Sequence, residues 1–169
     1  MVTLRATRKV LRLLPPPRAA SGASDTALGD WYVNRIVVDR RPLLLIVSER
    51  SRLSIIEPAR DVRDLPARLP DLVRRRLAVL GIPESRIATE LRSMDPIGIG
   101  PTVDRSIVGQ MVEFAKVIPV YLPVDGWREP ELRIAEDRLG KMPCLSSGRV
   151  GTSIWPAEEA AKRLAGHGA

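Results

Sequence analysis

The side chains of this 169-residue chain that could do chemistry gather at two places. Thr102, Asp104, Arg105 and Ser106 lie in TVDRS, directly ahead of an apolar helical stripe. Short polar groups at a helix start sit among unpaired backbone N–H groups and the positive end of the helix dipole, which favours an anion. Asn34 and Arg35, with Arg41 further on, are expected to form a polar wall facing that helix start. The same residues can serve structure alone, with Asp104 and Ser106 capping the helix and Arg105 pairing with a carboxylate. Asp30, Asp104 and Glu113 are the acids near these positions. Glu113, seven residues past Ser106, shares its helix face about two turns on.

The inventory excludes several chemistries. One cysteine, Cys144, and one histidine, His167, allow neither an intramolecular disulfide nor a thiolate or imidazole zinc cluster. No Ser-His-Asp set, Cys-His pair or two-carboxylate metal spacing supports a hydrolase. No metal site and no cofactor are therefore expected.

The formal net charge is +7 and the pI about 10.4, which suits a polyanion such as nucleic acid. Yet the basic residues are 23 Arg and 4 Lys, a bias that reads as compositional, and 4% aromatics is too few for base-stacking platforms. A functional patch would need Arg5, Arg8, Lys9, Arg12 and Arg74, Arg75 and Arg76 to converge without intervening acids. Acids are interspersed through residues 57–95, so scatter and pairing with Asp61, Asp64, Asp71 or Glu84 is the expectation. The basic N-terminus has its apolar stretch broken by Arg12 and three prolines, unlike a signal peptide, and no run approaches a membrane span. The expected location is cytoplasmic.

Positioning these groups falls to a central stretch, residues 31–56. Runs rich in Val, Ile and Leu are broken there by polar turn residues, which predicts a three-stranded antiparallel meander. Trp31 and Val33 share one face of the first strand; Tyr32, Asn34, Ile36 and Val38 share the other. Residues 39–42 make the first turn and 48–51 the second. The run 43–47 is apolar throughout, so it is covered on both faces and other elements must supply the cover.

Around the meander, residues 2–5 alternate as a short strand, and Thr7 caps a helix of about two turns over 8–14. Residues 18–28 read as a mobile loop. Pro70 fits the first turn of a helix ending near Gly81, with Arg74, Arg75 and Arg76 on its solvated face. A second helix starts at Pro83-Glu84, with Ile87, Ala88 and Leu91 inward, and residues 97–99 add a strand beside the first strand. The stripe Ile107, Val108, Met111, Phe114, Ala115 and Ile118 predicts a helix that stops before Pro119. Residues 131–139 form a strand or short helix, 146–153 a loop, and Pro156 opens a last helix before a frayed 166–169.

The order T-x-K (from Thr7), L-G-D-W-Y-x-N (from Leu28), D-R-R-x-x-L-L (from Asp39) and T-x-D-R-S-x-x-G-x-M (from Thr102) resembles a bacterial family of unknown function. The chain departs from that pattern at Ser48-Glu49 and at Val112. The resemblance covers most of the chain and implies no particular activity. The fold expected is α+β, an antiparallel β-meander with added strands covered by amphipathic helices. The 70–80 and 106–118 helices are placed on one face, with a 1–120 core and a 121–169 extension packed on it. The function expected is that of a non-enzymatic binding or accessory protein whose partner is a protein or polyanion. An enzyme with its site at Asp104, Arg105 and Ser106, and a nucleic-acid-binding protein, are the alternatives.

Overall fold

The computed structural model of the chain describes residues 1–18, 22–124, 126–145 and 152–167. The meander is present: β2 (Trp31–Val38), β3 (Arg41–Ser48) and β4 (Ser54–Pro58) pair antiparallel in sequence order. The first connection is only Asp39 and Arg40, both at positive φ (50° and 62°). A left-handed pair matches the twist of the strands it joins, so Arg41 and Pro42, expected in the turn, already belong to β3. β1 (Val2–Ala6) runs parallel to β2 on one side and to β5 (Ile97–Pro101) on the other. The sheet is therefore mixed, in the order β4-β3-β2-β1-β5.

Four helices line one face: α1 (Arg8–Leu11), α2 (Leu65–Val79), α3 (Glu84–Ser93) and α6 (Pro156–Gly166). They enclose Leu4, Trp31, Val33, Leu44, Ile46 and Ile55 from the sheet. On the other face, α4 (Arg105–Tyr121) and α5 (Glu129–Gly140) cover Tyr32, Leu43, Leu45, Val47 and Ile56. The helices expected on one face, around residues 70–80 and 106–118, thus lie on opposite ones. β3 demands this, because its apolar residues alternate between two cores and each must be covered. A short pair, β6 (Cys144–Leu145) with β7 (Ser153–Ile154), precedes α6.

Prolines mark fewer boundaries than the sequence suggests. Pro66 occupies the first turn of α2, and Pro70 lies inside the helix. Pro119 lies inside α4, in its last turns. Each proline there removes a single ladder bond, which the packed face of the helix offsets. Gly81, at φ +73°, does end α2: its N–H reaches Ala78 O at 3.0 Å and that of Ile82 reaches Leu77 O at 3.1 Å, the paired bonds of a Schellman turn. α1 is shorter than the two turns expected over 8–14, and the Thr7 hydroxyl makes no cap.

Arg74, Arg75 and Arg76 are not a solvated face. Only Arg74 is exposed, paired with Glu84, while Arg75 joins Glu57 and Glu136 and the buried Arg76 reaches Asp137. These arginines, with α5, close the outer edge of β4. The Ile56 N–H donates to Glu136 Oε1 (2.8 Å), Ile56 O accepts from Arg133 Nη2 (2.7 Å), and Ser54 O accepts from Arg76 Nε (3.2 Å).

The described part of the 18–28 loop is anchored by polar groups as well as by Ala27 and Leu28, which enter the core beneath α2. Glu90, buried on α3, accepts from the N–H groups of Ala27 (2.8 Å) and Leu28 (3.0 Å), and Thr26 to Leu28 are buried. Residues 19–21 of that loop, 146–151 of the next and 168–169 at the end lie outside the described residues.

Candidate functional site

The core beneath α4 and α5 takes residues from β2, β3 and β4 but none from β1 or β5. Val2, Leu4 and Ala6 turn into the opposite core, so Thr3 and Arg5 face the α4 side. Asp30, directly ahead of β2, is buried and spends both carboxylate oxygens there. Oδ1 accepts from Thr3 N (2.8 Å) and Oδ2 from Arg5 Nε (2.9 Å). The guanidinium is thereby held by a fixed carboxylate over the glycine strand β5, where a Cβ on Gly100 would come within 3.4 Å of Arg5 Nη1. Neither Nη of Arg5 makes a hydrogen bond among the described residues.

Cavities open on both sides of Arg5. One, of about 370 Å³, is lined by Arg5, Gly22, Ala23, Ser24, Asp30, Glu49, Arg50 and Asp104. The other, of about 410 Å³, is lined by Thr3, Arg5, Pro17, Arg18, Ile99, Gly100 and Pro101.

The start of α4 forms the wall of the first cavity. Asp104 is its N-cap, with Oδ1 accepting from Ser106 N at 2.7 Å. Behind it Arg52 is wholly buried, donating from Nη1 to Glu49 O (2.8 Å) and from Nη2 to Ser106 Oγ (3.0 Å). Burial lowers the Arg52 pKa against the opposing pull of Asp104 first and then of Cys144 and Glu49. The Cys144 thiol nearby is pushed up to about 11 by burial, with Arg52 opposing. Burial thus favours the neutral thiol over the nucleophilic thiolate.

Tyr32 lies beside the same groups. Its buried hydroxyl makes no hydrogen bond of ordinary geometry among the described residues, though the Asp104 backbone N–H lies near it. Burial, and after it Glu49, raise its pKa, while the Asp104 backbone N–H and Arg5 pull it down.

The residues singled out in the sequence are brought together only in part. Asp104 lines the cavity, Ser106 binds the buried Arg52 behind it, and Asp30 is the anchor of Arg5. Asn34, half-buried on β2, accepts from the Thr7 hydroxyl at 2.9 Å. The expected polar wall does not form. Strand alternation puts Arg35 on the Trp31 side of the sheet, opposite Asn34. Arg41 sits at the far end of the β2–β3 hairpin, its guanidinium 3.9 Å from the Trp127 ring centre and donating to Trp127 O (2.6 Å). It lines a separate cavity of about 430 Å³ with Glu57, Asp61, Asp64, Arg68 and Glu129 among others. Thr102 is half-buried and Arg105 exposed, without an ion pair among the described residues. Glu113 is exposed and paired with Lys116 at 2.7 Å, so it does not approach the cavity.

Glu49, Arg50 and Arg52 escaped the sequence reading as site residues, and Arg5 entered it only as one basic residue of a possible polyanion patch. The usable signal was Arg5 alternating with Val2 and Leu4 in a strand that proves interior, which gives the sheet a polar face in its middle. Glu49, Arg50 and Arg52 read only as a turn. Of the basic residues that might have converged, Arg5 and Arg74 to Arg76 are ion-paired, with Glu84 alone among the acids expected as partners. Arg8, Lys9 and Arg12 make no ion pair among the described residues, and no group of three or more His, Cys, Asp or Glu there could hold a metal ion. No helix among them is long and apolar enough to cross a membrane.

A family model with the description Domain of unknown function (DUF6933) matches residues 3–159, from β1 into α6. No curated protein and no solved structure matches the chain.

Proposed function

We propose that this chain, which belongs to the DUF6933 family of unknown function, is a non-enzymatic binding or accessory protein that holds a small polar ligand at Arg5. The observation that carries the reading is the Thr3–Asp30–Arg5 arrangement. A buried carboxylate with both oxygens engaged orients a guanidinium whose terminal nitrogens make no hydrogen bond among the described residues and lie where two cavities meet. Orienting a guanidinium in advance lowers the entropy lost when it binds, and its planar fork suits an oxyanion. Of the residues an enzyme would use, Asp104 and Ser106 meet only in the cap of α4, Arg105 is exposed, Glu113 pairs with Lys116, and Asp104 alone lines the cavity. The setting that accompanies this reading is bacterial and cytoplasmic. As an accessory protein the chain would meet a protein or polyanion through Arg8, Lys9 and Arg12, all exposed on and beside α1.

The test is a thermal-shift screen of carboxylates, amino acids and phosphates on the wild type and on Arg5→Gln. Compounds that raise the melting temperature of the wild type should fail to raise that of the variant. A charge-assisted hydrogen bond contributes roughly 1.5–3 kcal/mol, so affinity should fall about ten- to a hundredfold. Stabilisation that survives Arg5→Gln would sink the assignment.

A further inference from the structure

We infer that the ligand of the Arg5 cleft is a free α-amino acid or close analogue, its carboxylate on Arg5 and its ammonium between Glu49 and Asp104. This rests on the binding reading above and names the ligand class for that site.

Several polar atoms around the cavity are already engaged within the chain. Each Asp30 oxygen is already engaged, Oδ1 by the Thr3 N–H and Oδ2 by Arg5 Nε. Arg50 spends Nη1 on Thr26 O (2.7 Å) and Nη2 on Ser24 O (3.2 Å), fastening the 22–26 segment over the cavity. Glu49 Oε2 accepts from Asp30 N (3.0 Å), and Asp104 Oδ1 accepts from Ser106 N (2.7 Å). Among the described residues, what remains for a ligand is a pair of opposites: both Nη groups of Arg5, and one oxygen each of Glu49 and Asp104.

Charge then selects the class. Two arginines face three carboxylates around the cavity. A phosphate or simple carboxylate on Arg5 would lie among those acids, and like charges at such range repel. A simple amine would meet two guanidiniums. A molecule carrying an ammonium and a carboxylate on one carbon satisfies each side and leaves no unpaired charge in a partly desolvated site. The second cavity, past Arg5, supplies space for a side chain against Pro17, Ile99 and Pro101.

The test is isothermal titration of the whole chain with three sets of probes. These are the twenty protein L-amino acids, the carboxylates left by removing their α-amino group, and the amines left by removing their α-carboxyl group. At least one amino acid should bind, and both of its truncated analogues should bind at least tenfold more weakly. Arg5→Gln, Glu49→Gln and Asp104→Asn should each weaken it by a similar factor while circular dichroism stays unchanged; the last two keep the oxygen that makes the internal hydrogen bond. A carboxylate that binds as tightly as its parent amino acid, and loses binding in Arg5→Gln, would overturn the zwitterion and leave Arg5 as anchor. Binding that survives Arg5→Gln would overturn both readings. Silence from all three sets would overturn the amino-acid class, while the phosphates of the thermal-shift screen still test Arg5.

Discussion

Glu136 shows how much one buried side chain can govern. Its carboxylate accepts from Ile56 N–H, Arg75 and Arg133 through a single oxygen, yet burial pushes its pKa up to about 7. Arg133, the Ile56 N–H and Arg76 oppose the rise, and Glu57 adds to it. The folded protein therefore binds this proton more tightly than the unfolded chain, whose carboxyl titrates near 4.5. The stability it contributes is complete below that value and is lost as pH climbs through about 7. Urea unfolding at pH 5 and pH 7.5 should show the protein less stable at the higher pH by roughly 1–3 kcal/mol, and Glu136→Gln should flatten that slope. An unchanged slope in the variant would assign the pH dependence to other groups. Neither Glu136 nor Glu90 was legible as buried in the sequence. Each sits one place off its helix's apolar stripe, and what buries it is a backbone segment about sixty residues or more away in sequence.

Among the elements, β4 is the strand at risk. An edge strand offers unpaired backbone groups to any other strand, and here side chains from helices on both faces take them. Arg133→Ala with Glu136→Ala frees both the N–H and the carbonyl of Ile56. Light scattering should then show concentration-dependent self-association, absent from the wild type. A variant that stays monomeric at the highest concentrations would mean the edge is protected otherwise. The elements themselves were largely legible. Apolar periodicity located the three meander strands and the α4 stripe, because the face a residue presents follows from local geometry alone. Pro70 and Pro119 misled because a proline's lost bond is a local cost that a packed helix face can outweigh. Residues 131–139, left open between strand and helix, form α5 because Leu132, Ala135 and Leu139 at helical spacing meet the α4 core.

For the molecule as a whole, we propose that residues 1–120 form a core and 121–169 an extension packed on it, not a second independent unit. The extension supplies Trp127, Leu132, Ala135 and Leu139 to one hydrophobic cluster and Ala160 and Leu164 to the other. Residues 1–120 alone would lose cover from both faces and the seal on β4, so that fragment should show no cooperative thermal transition by circular dichroism. A fragment melting as sharply as the whole chain would make the extension dispensable. The amino-acid sequence by itself determined the α+β class, the meander with its two-faced β3, and a cap for α4 at Asp104 or Ser106, of which the structure uses Asp104. All of these follow from hydrophobic alternation and capping within a few residues. Only the tertiary structure decided that α2 and α4 take opposite faces, that β1 enters between β2 and β5, and that Arg5 stands at a cleft. The Arg5–Asp30 and Arg52–Ser106 contacts join residues 25 and 54 apart in sequence, and no local pattern encodes which distant side chain will arrive.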